Sequence, residues 1–214
     1  CLFYPGKIKM AGYALFWFVL FALLPFLYID TQQYTFLMKS WQHMLAADEP
    51  ASYGFSVMGW LHAWFRVDAN KWVVSGIGAV LFMLPYVQVK KYASAGFRML
   101  ALCSLLIWIV IFNHKAESPT FVIAMSGVGI WFLQARKTTF NLSVFILTFL
   151  FVSLSPTDLF PAVLRREVVL PYALKGFACL VVWGIVVYEM WRYQVPDNSA
   201  EIPLTNNPHE QQMG

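Results

Sequence analysis

The sequence has little charge and few cysteines, and each shortage excludes a class of protein. Charged residues make up 12% of the 214 residues, whereas 59% are hydrophobic and 18% are aromatic. The mean hydropathy of +0.60 is far from that of an ordinary soluble domain. Cys1, Cys103 and Cys179 are too few and too scattered for a disulfide framework or a metal site. The composition therefore predicts an all-α, polytopic integral membrane protein.

Motifs of the common enzyme classes are also missing. The sequence has no metal-ligand spacing, no glycine-rich phosphate loop, no nucleophile elbow and no Ser/His/Asp order, so we expect no metal and no cofactor. The formal net charge of +4 comes from basic residues dispersed among apolar runs, which indicates membrane topology rather than nucleic-acid binding. No ionisable residue lies in the middle of a predicted span, where it would mark a functional site.

Apolar runs long enough to cross most of a bilayer core predict about six transmembrane helices. The predicted spans cover residues 11–29, 72–89, 97–112, 119–133, 140–154 and 172–191. Pro25 should kink the first span. In the last span, Lys175 can snorkel near the start, and Glu189 can pair with Arg192 at the end. Residues 196–214 have almost nothing to bury, so we expect a disordered cytoplasmic tail.

The connection after the first span predicts two amphipathic helices, over residues 31–47 and 56–66. Asp30 is the expected N-cap of the first helix, with Gln33 three residues later. Both segments are too polar to span a membrane and too apolar along one face to leave it, so we expect them to lie in the interface plane. They either pack over a membrane-embedded cavity or act as simple interfacial anchors, and the pattern favours neither.

The basic residues predict the orientation of the spans. Alternating connections place on one side a set of basic residues with no acid before the tail: Lys7, Lys9, Lys90, Lys91, Arg98, Arg136, Lys137 and Arg192. By the positive-inside rule this side is cytoplasmic. Both ends of the chain are then cytoplasmic, and the three polar connections lie together on the outer face. The chain begins at Cys1 without a signal-peptide pattern, so we expect it to be a fragment of a longer protein.

A polar heptapeptide, residues 113–119 with the sequence Asn-His-Lys-Ala-Glu-Ser-Pro, separates the third and fourth predicted spans. Ser118 is the expected N-cap of the next helix, and Pro119 is its first helical residue. The positive end of that helix would point toward His114 and Lys115, which predicts a phosphate cradle at a membrane surface. The alternative is a solvated turn between two spans, which composition alone favours.

Cationic groups gathered at the outer face suit a lipid-linked phosphate. Its tail would lie between spans while its head group meets the basic side chains of His114, Lys115, Arg165 and Arg166. Arg165 and Arg166 can instead face the head groups of membrane lipids, and we favour this second role slightly.

Two short motifs and the order of apolar runs resemble the C-terminal half of glycosyltransferase family 87. The first motif is residues 52–57, Ser-Tyr-Gly-Phe-Ser-Val, followed by Trp60 and Leu61; the second is the heptapeptide. Tyr34, Trp41 and Leu45 precede them, and the resemblance covers roughly residues 11–192. Members of this family are inverting GT-C type enzymes that transfer mannose or a related hexose from a polyprenyl phosphate. The resemblance thus implies a hexosyltransferase acting at the extracytoplasmic face of the bacterial plasma (inner) membrane.

The resemblance also implies that the catalytic residue lies elsewhere. The family's general base is an Asp in the first outer loop of the N-terminal half, which this chain does not include. We therefore assign no catalytic residue, and Asp30, Asp48 and Asp68 are not candidates. We expect this part of the enzyme to be inactive alone.

Donor binding is the role that the resemblance implies for this chain. His114 and Lys115 would stabilise the negative charge left on the departing phosphate. Glu117 either orients Lys115 or lies favourably at a helix N-terminus. His62 can touch the sugar, although such a residue is more often an exposed histidine on a polar helix face. The competing hypothesis is a non-enzymatic small membrane protein, such as a transporter component or a scaffold.

Overall fold

The described part of the chain, residues 7–46, 54–113 and 116–195 of a computed structural model, is helical and contains no strand. This confirms the all-α class. The α-helices are α1 (Lys7–Leu23), α2 (Thr31–Ala46), α3 (Val57–Phe65), α4 (Lys71–Met83), α5 (Ala95–Ile111), α6 (Phe121–Gln134), α7 (Thr139–Phe149), α8 (Ala162–Leu164) and α9 (Leu174–Arg192). The predicted tail, residues 196–214, lies outside the described residues.

Short segments of other helix types extend several α-helices. Turns of 3-10 helix cover Leu24–Leu27, Leu84–Val87, Val89–Ala93 and Ser118–Thr120, and π-helical turns cover Leu150–Leu154 and Arg165–Val169. Three of these 3-10 turns contain a proline, and two of them follow an α-helix directly, with Pro25 after α1 and Pro85 after α4. A proline has no N–H to donate and its ring crowds the preceding turn, so the regular α-helix ends where the prolines begin.

Two helices of the described chain are long and apolar enough to cross a membrane, Ile8–Leu27 and Leu174–Arg192. They correspond to the first and last predicted spans. The other four predicted spans coincide with shorter apolar helices, Lys71–Val87, Ala95–Ile111, Ser118–Gln134 and Thr139–Leu154. The apolar pattern therefore located the helices, while the length of the four middle helices is less than that of an ordinary span.

The core forms where α5 packs against α6 and α9. Side chains with no exposed surface come from all three helices: Phe97, Cys103 and Ile107 from α5, Val128 and Trp131 from α6, and Cys179, Val182 and Val186 from α9. Indole groups add polar ties to this packing. Trp183 Nε1 donates to Ser104 Oγ at 3.1 Å, and Trp131 Nε1 donates to Glu189 Oε2 at 3.0 Å.

The bond from Trp131 corrects a prediction. Glu189 was expected to pair with Arg192, but the ion pairs of the described residues do not include these two side chains. Glu189 is half-buried and faces α6, whereas Arg192 is exposed at the end of α9. A buried indole N–H needs an acceptor. The Glu189 carboxylate therefore accepts from Trp131 of α6 instead of pairing with Arg192 of its own helix.

Helices α1 and α2 expose their apolar side chains. None of the Ile8–Leu27 window is buried, and Trp17 and Phe18 are 51% and 71% exposed. The predicted N-cap of α2 is confirmed, since the Gln33 backbone N–H donates to Asp30 Oδ1 at 2.7 Å. So large an apolar surface requires a cover of lipid or protein.

The predicted sides of the connections separate into two ends of the helical core. At one end, Lys91 Nζ donates to the carbonyl oxygen of Trp191 at 2.7 Å, and Ser94 Oγ lies 2.6 Å from the Tyr193 hydroxyl. These residues belong to connections predicted to be cytoplasmic. At the other end, Phe55 in the segment before α3 contacts Ala116 of the heptapeptide and Gly176 in the first turn of α9. Phe55 and Ala116 belong to connections predicted to be outside, and Gly176 lies near the start of the last predicted span.

Candidate functional site

The two motifs that carry the resemblance are in direct contact. The Phe55 backbone N–H donates to the carbonyl oxygen of Ala116 at 3.1 Å, and Ala116 is completely buried. Gly54 has a φ of +54°, and a Cβ at this position would lie 2.8 Å from the same carbonyl oxygen. Only glycine adopts this left-handed conformation without strain and also allows so close an approach. The glycine of the first motif therefore fits it against the second.

Helix α3 is fixed to the first turns of α9. Ser56, which is fully buried, caps α3 by accepting a bond from the Gly59 backbone N–H at 3.3 Å. The indole of Trp64 lies 5.0 Å from the Phe177 ring, and its Nε1 donates to the carbonyl oxygen of Tyr172 at 2.9 Å. These contacts anchor α3 against the protein, so its position depends on α9 as well as on any membrane interface.

An open cavity of about 870 Å³ lies where these segments meet. Its polar lining comes from His62 and Arg66 of the α3 region and from Glu117 and Ser118 of the heptapeptide, and residues 170–173, which include Leu170 and Pro171 of the third connection, close a further side. All three connections predicted to lie outside thus contribute to one cavity. Its size is in the range of pockets that hold small organic ligands.

The predicted site residues divide into three groups. His62 and Glu117 line the cavity. Within the described residues, Arg165 and Arg166 do not line it; they begin the π-helical turn Arg165–Val169, with Arg165 half-buried and Arg166 exposed. His114 and Lys115 lie outside the described residues, and the chain is described again from Ala116, which lines the cavity.

His62 is held by an acidic partner. Its Nδ1 lies 2.7 Å from Asp68 Oδ1, and the two side chains are 40% and 70% exposed. Arg66 ends α3 with a φ of +56°, and the chain then turns so that Asp68 reaches back to the helix. A carboxylate on Nδ1 fixes the orientation of an imidazole ring. The histidine expected on a polar helix face is therefore an oriented group at the edge of the cavity.

Ser118 has a different role from the predicted one. It is the first residue of the 3-10 turn Ser118–Thr120, so it is not the N-cap, and Pro119 follows it within that turn. Glu117 is the residue before the turn, and α6 begins only at Phe121. Ser118 Oγ accepts a hydrogen bond from Lys175 Nζ. The hydroxyl of Ser118 therefore contacts the ammonium group of Lys175 instead of capping the helix.

Lys175 is the site residue that the sequence analysis missed. It was expected to snorkel, but its side chain is only 2% exposed and its Nζ lies 5.2 Å from the centre of the Phe55 ring. Spacing along α9 carried a usable signal. Lys175 is four residues before Cys179 and seven before Val182, both buried, so helical periodicity puts the lysine on the core side of α9. A side chain on that side cannot reach lipid head groups.

A second, more apolar cavity of about 650 Å³ adjoins the first. It runs along α6 and α7, and its lining includes Phe121, Met125, Phe145 and Phe149. Ser118 lines both cavities. The first cavity, which has polar side chains in its lining, and this second cavity, the apolar groove, thus meet at Ser118, the residue to which Lys175 donates.

No known protein family, no curated protein and no solved structure matches this chain. The described residues also contain no group of three or more His, Cys, Asp or Glu side chains that could hold a metal ion. The function of the site is therefore inferred from the cavity and from the side chains that line it.

Proposed function

We propose that this chain is the C-terminal part of a polytopic membrane glycosyltransferase of the family 87 type. The enzyme moves a hexose, such as mannose, from a polyprenyl phosphate to an acceptor at the extracytoplasmic face of the bacterial plasma membrane. In this proposal the chain crosses the membrane six times, α2 and α3 lie in the first outer loop, and both ends are cytoplasmic.

The cavity beside an apolar groove is the observation that carries the proposal. A polyprenyl-linked sugar phosphate has a polar head and a long apolar tail, so it needs both kinds of surface in one place. The 870 Å³ cavity offers polar side chains, the 650 Å³ groove is lined by aromatic and aliphatic ones, and both include Ser118. The groove opens between two helices, as expected for a tail that lies between spans.

We assign the residue roles from the heptapeptide sequence and from the side chains that line the cavity. His114 and Lys115, which immediately precede Ala116 in the sequence, bind the phosphate and stabilise the charge that develops on it as the glycosidic bond breaks. His62, oriented by Asp68, contacts the sugar. Glu117 lines the same cavity and orients Lys115.

The two arginines act at the edge of the site. Arg165 and Arg166 contact the head groups of membrane lipids, since neither lines the cavity in the described part of the chain. The general base for the acceptor hydroxyl comes from an upstream half of the protein. The exposed apolar surface of α1 supports a membrane location, because a helix of this composition is stable only when lipid or other protein covers it.

The test is sugar transfer by the full-length protein in nanodiscs, with polyprenyl-phosphate mannose as the donor. We expect His114→Ala and Lys115→Ala each to lower kcat by about 100- to 1,000-fold, the usual effect of removing a group that stabilises developing charge. Lys90→Ala is the matched control, since this exposed lysine lies in a connection on the predicted cytoplasmic side. Undiminished transfer by the first two variants would overturn the phosphate site.

A second test concerns the expected catalytic half. The coding DNA upstream of the Cys1 codon should continue in frame and encode further spans, with an Asp in the first outer loop. A stop codon close upstream would remove the enzyme interpretation and favour a small non-enzymatic membrane protein.

A further inference from the structure

Lys175 is a buried cation without a counter-ion in the described part of the chain. The ion pair found there joins His62 to Asp68, and no carboxylate lies within 4 Å of the Lys175 ammonium among the described residues. Its contacts are neutral: the hydroxyl of Ser118 accepts one hydrogen bond, and the Phe55 ring lies 5.2 Å away. An ammonium group carries three donors, so these contacts leave it incompletely satisfied.

Burial makes a charge on Lys175 costly unless a partner stabilises it. A charged side chain with 2% exposure is expected to be paired, since burial removes the water that would otherwise stabilise it. A hydroxyl and an aromatic face compensate only part of that loss. The buried ammonium of Lys175 therefore carries a positive charge that a bound anion would balance.

The position of Ser118 shows where that anion would bind. Its Oγ accepts from the buried Lys175, and the residue lines both the first cavity and the apolar groove. A hydroxyl that accepts a bond from a cation directs its own hydrogen elsewhere and becomes a stronger donor, because the two bonds polarise each other.

We propose that Lys175 and Ser118 form an anion-binding relay, in which Ser118 donates to the phosphate of a lipid-linked ligand and Lys175 positions and polarises the hydroxyl. Ser118 is the binding residue and Lys175 is a positioning residue. The phosphate lies at the junction of the cavity and the groove, and the ligand's tail enters the groove. This inference rests on the proposed function and adds to it two residues that the heptapeptide motif alone does not assign to phosphate binding.

A purely structural role for Lys175 is the alternative to the relay. The bond to Ser118 also ties the start of α9 to the turn before α6, and a neutral donor could do the same. Lys175→Gln keeps a donor, on a side chain one bond shorter, and removes the charge, while Lys175→Met removes both. Lys91→Met is the matched control, because Lys91 ties the other end of α9 to a neighbouring segment by donating to the carbonyl oxygens of Met190 and Trp191.

The experiment measures dissociation constants of the full-length protein in nanodiscs for farnesyl phosphate and for farnesol, the same tail without charge. We expect Lys175→Gln and Lys175→Met each to weaken farnesyl phosphate binding by about 10- to 100-fold, the usual range for losing a charge-assisted hydrogen bond. Farnesol binding should not change in either variant. Lys91→Met should change neither constant, and thermal unfolding of each variant checks that it is folded.

The outcomes separate the relay from the proposed function. Unchanged farnesyl phosphate affinity in both Lys175 variants, with normal binding by the unaltered protein, overturns the relay and leaves the proposed function standing. Absence of farnesyl phosphate binding by the unaltered protein overturns both. Inorganic phosphate is the third probe: competition at the same concentration as farnesyl phosphate would overturn a lipid-linked ligand and indicate a free phosphate. Weak or absent competition supports the lipid-linked ligand.

Discussion

Gly176 and Phe55 are in backbone contact between α9 and the segment that precedes α3. A Cβ added at Gly176 would lie 2.0 Å from the carbonyl oxygen of Phe55, a distance that no real Cβ contact reaches. Phe55 also donates its N–H to Ala116, so one residue connects the start of α9 to the heptapeptide. The cavity depends on this contact, because its walls come from the three segments that meet here.

Replacing Gly176 with alanine should separate these segments. The obstruction is backbone rather than a flexible side chain, so we expect Gly176→Ala to lower the free energy of unfolding by roughly 1–3 kcal/mol, as overpacking usually does. Gly184→Ala is the control in the same helix, because a Cβ there would have no neighbour within 4 Å in the described part of the chain. Far-UV circular dichroism during thermal unfolding in detergent compares them. Equal midpoints would contradict the contact.

The Trp131–Glu189 bond makes a second prediction about stability. Glu189→Ala leaves a completely buried indole N–H without its acceptor, and we expect a loss of about 1–3 kcal/mol in the free energy of unfolding. Arg192→Ala should change it by less than about 0.5 kcal/mol, because Arg192 is exposed. Chemical denaturation in detergent measures both. If the two variants lost equal stability, the local Glu189–Arg192 pair would be the correct assignment.

Membrane orientation can be tested with single cysteines. In a Cys1→Ser background, where Cys103 and Cys179 are buried, Asp158→Cys should react with a membrane-impermeant maleimide in intact cells. Lys137→Cys, at the other end of α7, should react only after the membrane is opened, because it lies in a connection predicted to be cytoplasmic. The reverse labelling pattern would show that the orientation is opposite to the predicted one. Labelling of both cysteines in intact cells would show that no span lies between positions 137 and 158.

The His62–Asp68 pair predicts coupled effects on catalysis. Under the proposed glycosyltransferase function, His62→Ala and Asp68→Ala in the full-length protein should each lower kcat/KM by about 10-fold, equivalent to about 1.4 kcal/mol. The double variant should lose little more than either single one, because the carboxylate acts through the imidazole. Asp158→Ala is the control, as an exposed acid away from the cavity lining. Additive losses would show that the two residues act independently.

Local patterns of the sequence were sufficient to predict where the helices lie. Apolar runs, Pro25 and the Asp30 cap are signals carried by neighbouring residues, and the helices follow them. Two of the predicted site residues, His62 and Glu117, also line the cavity. Alternation of the predicted spans also grouped the three polar connections at one end of the helices, and residues of all three line the cavity.

Contacts between distant segments could not be predicted in the same way. The bond from Phe55 to Ala116 joins backbone groups, which leave no periodic signature in side-chain types. Glu189 was assigned by a spacing rule for exposed helix faces, yet it is half-buried and bonds to another helix. Lys175 was assigned to the lipid interface from its position near a span end, although its spacing from Cys179 and Val182 indicated the core.

Photolabelling tests most directly whether a lipid phosphate binds where the cavity and the groove meet. The full-length protein is labelled with a polyprenyl phosphate that carries a diazirine near the phosphate. Mass spectrometry then identifies the modified peptides. We expect labels on the segments around the cavity and the groove, namely 54–66, 116–126 and 170–177, and their loss when unlabelled polyprenyl phosphate is added in excess. Labels confined to the exposed apolar surfaces of α1 and α2, or labels that competitor does not reduce, would contradict a lipid-phosphate site at this junction.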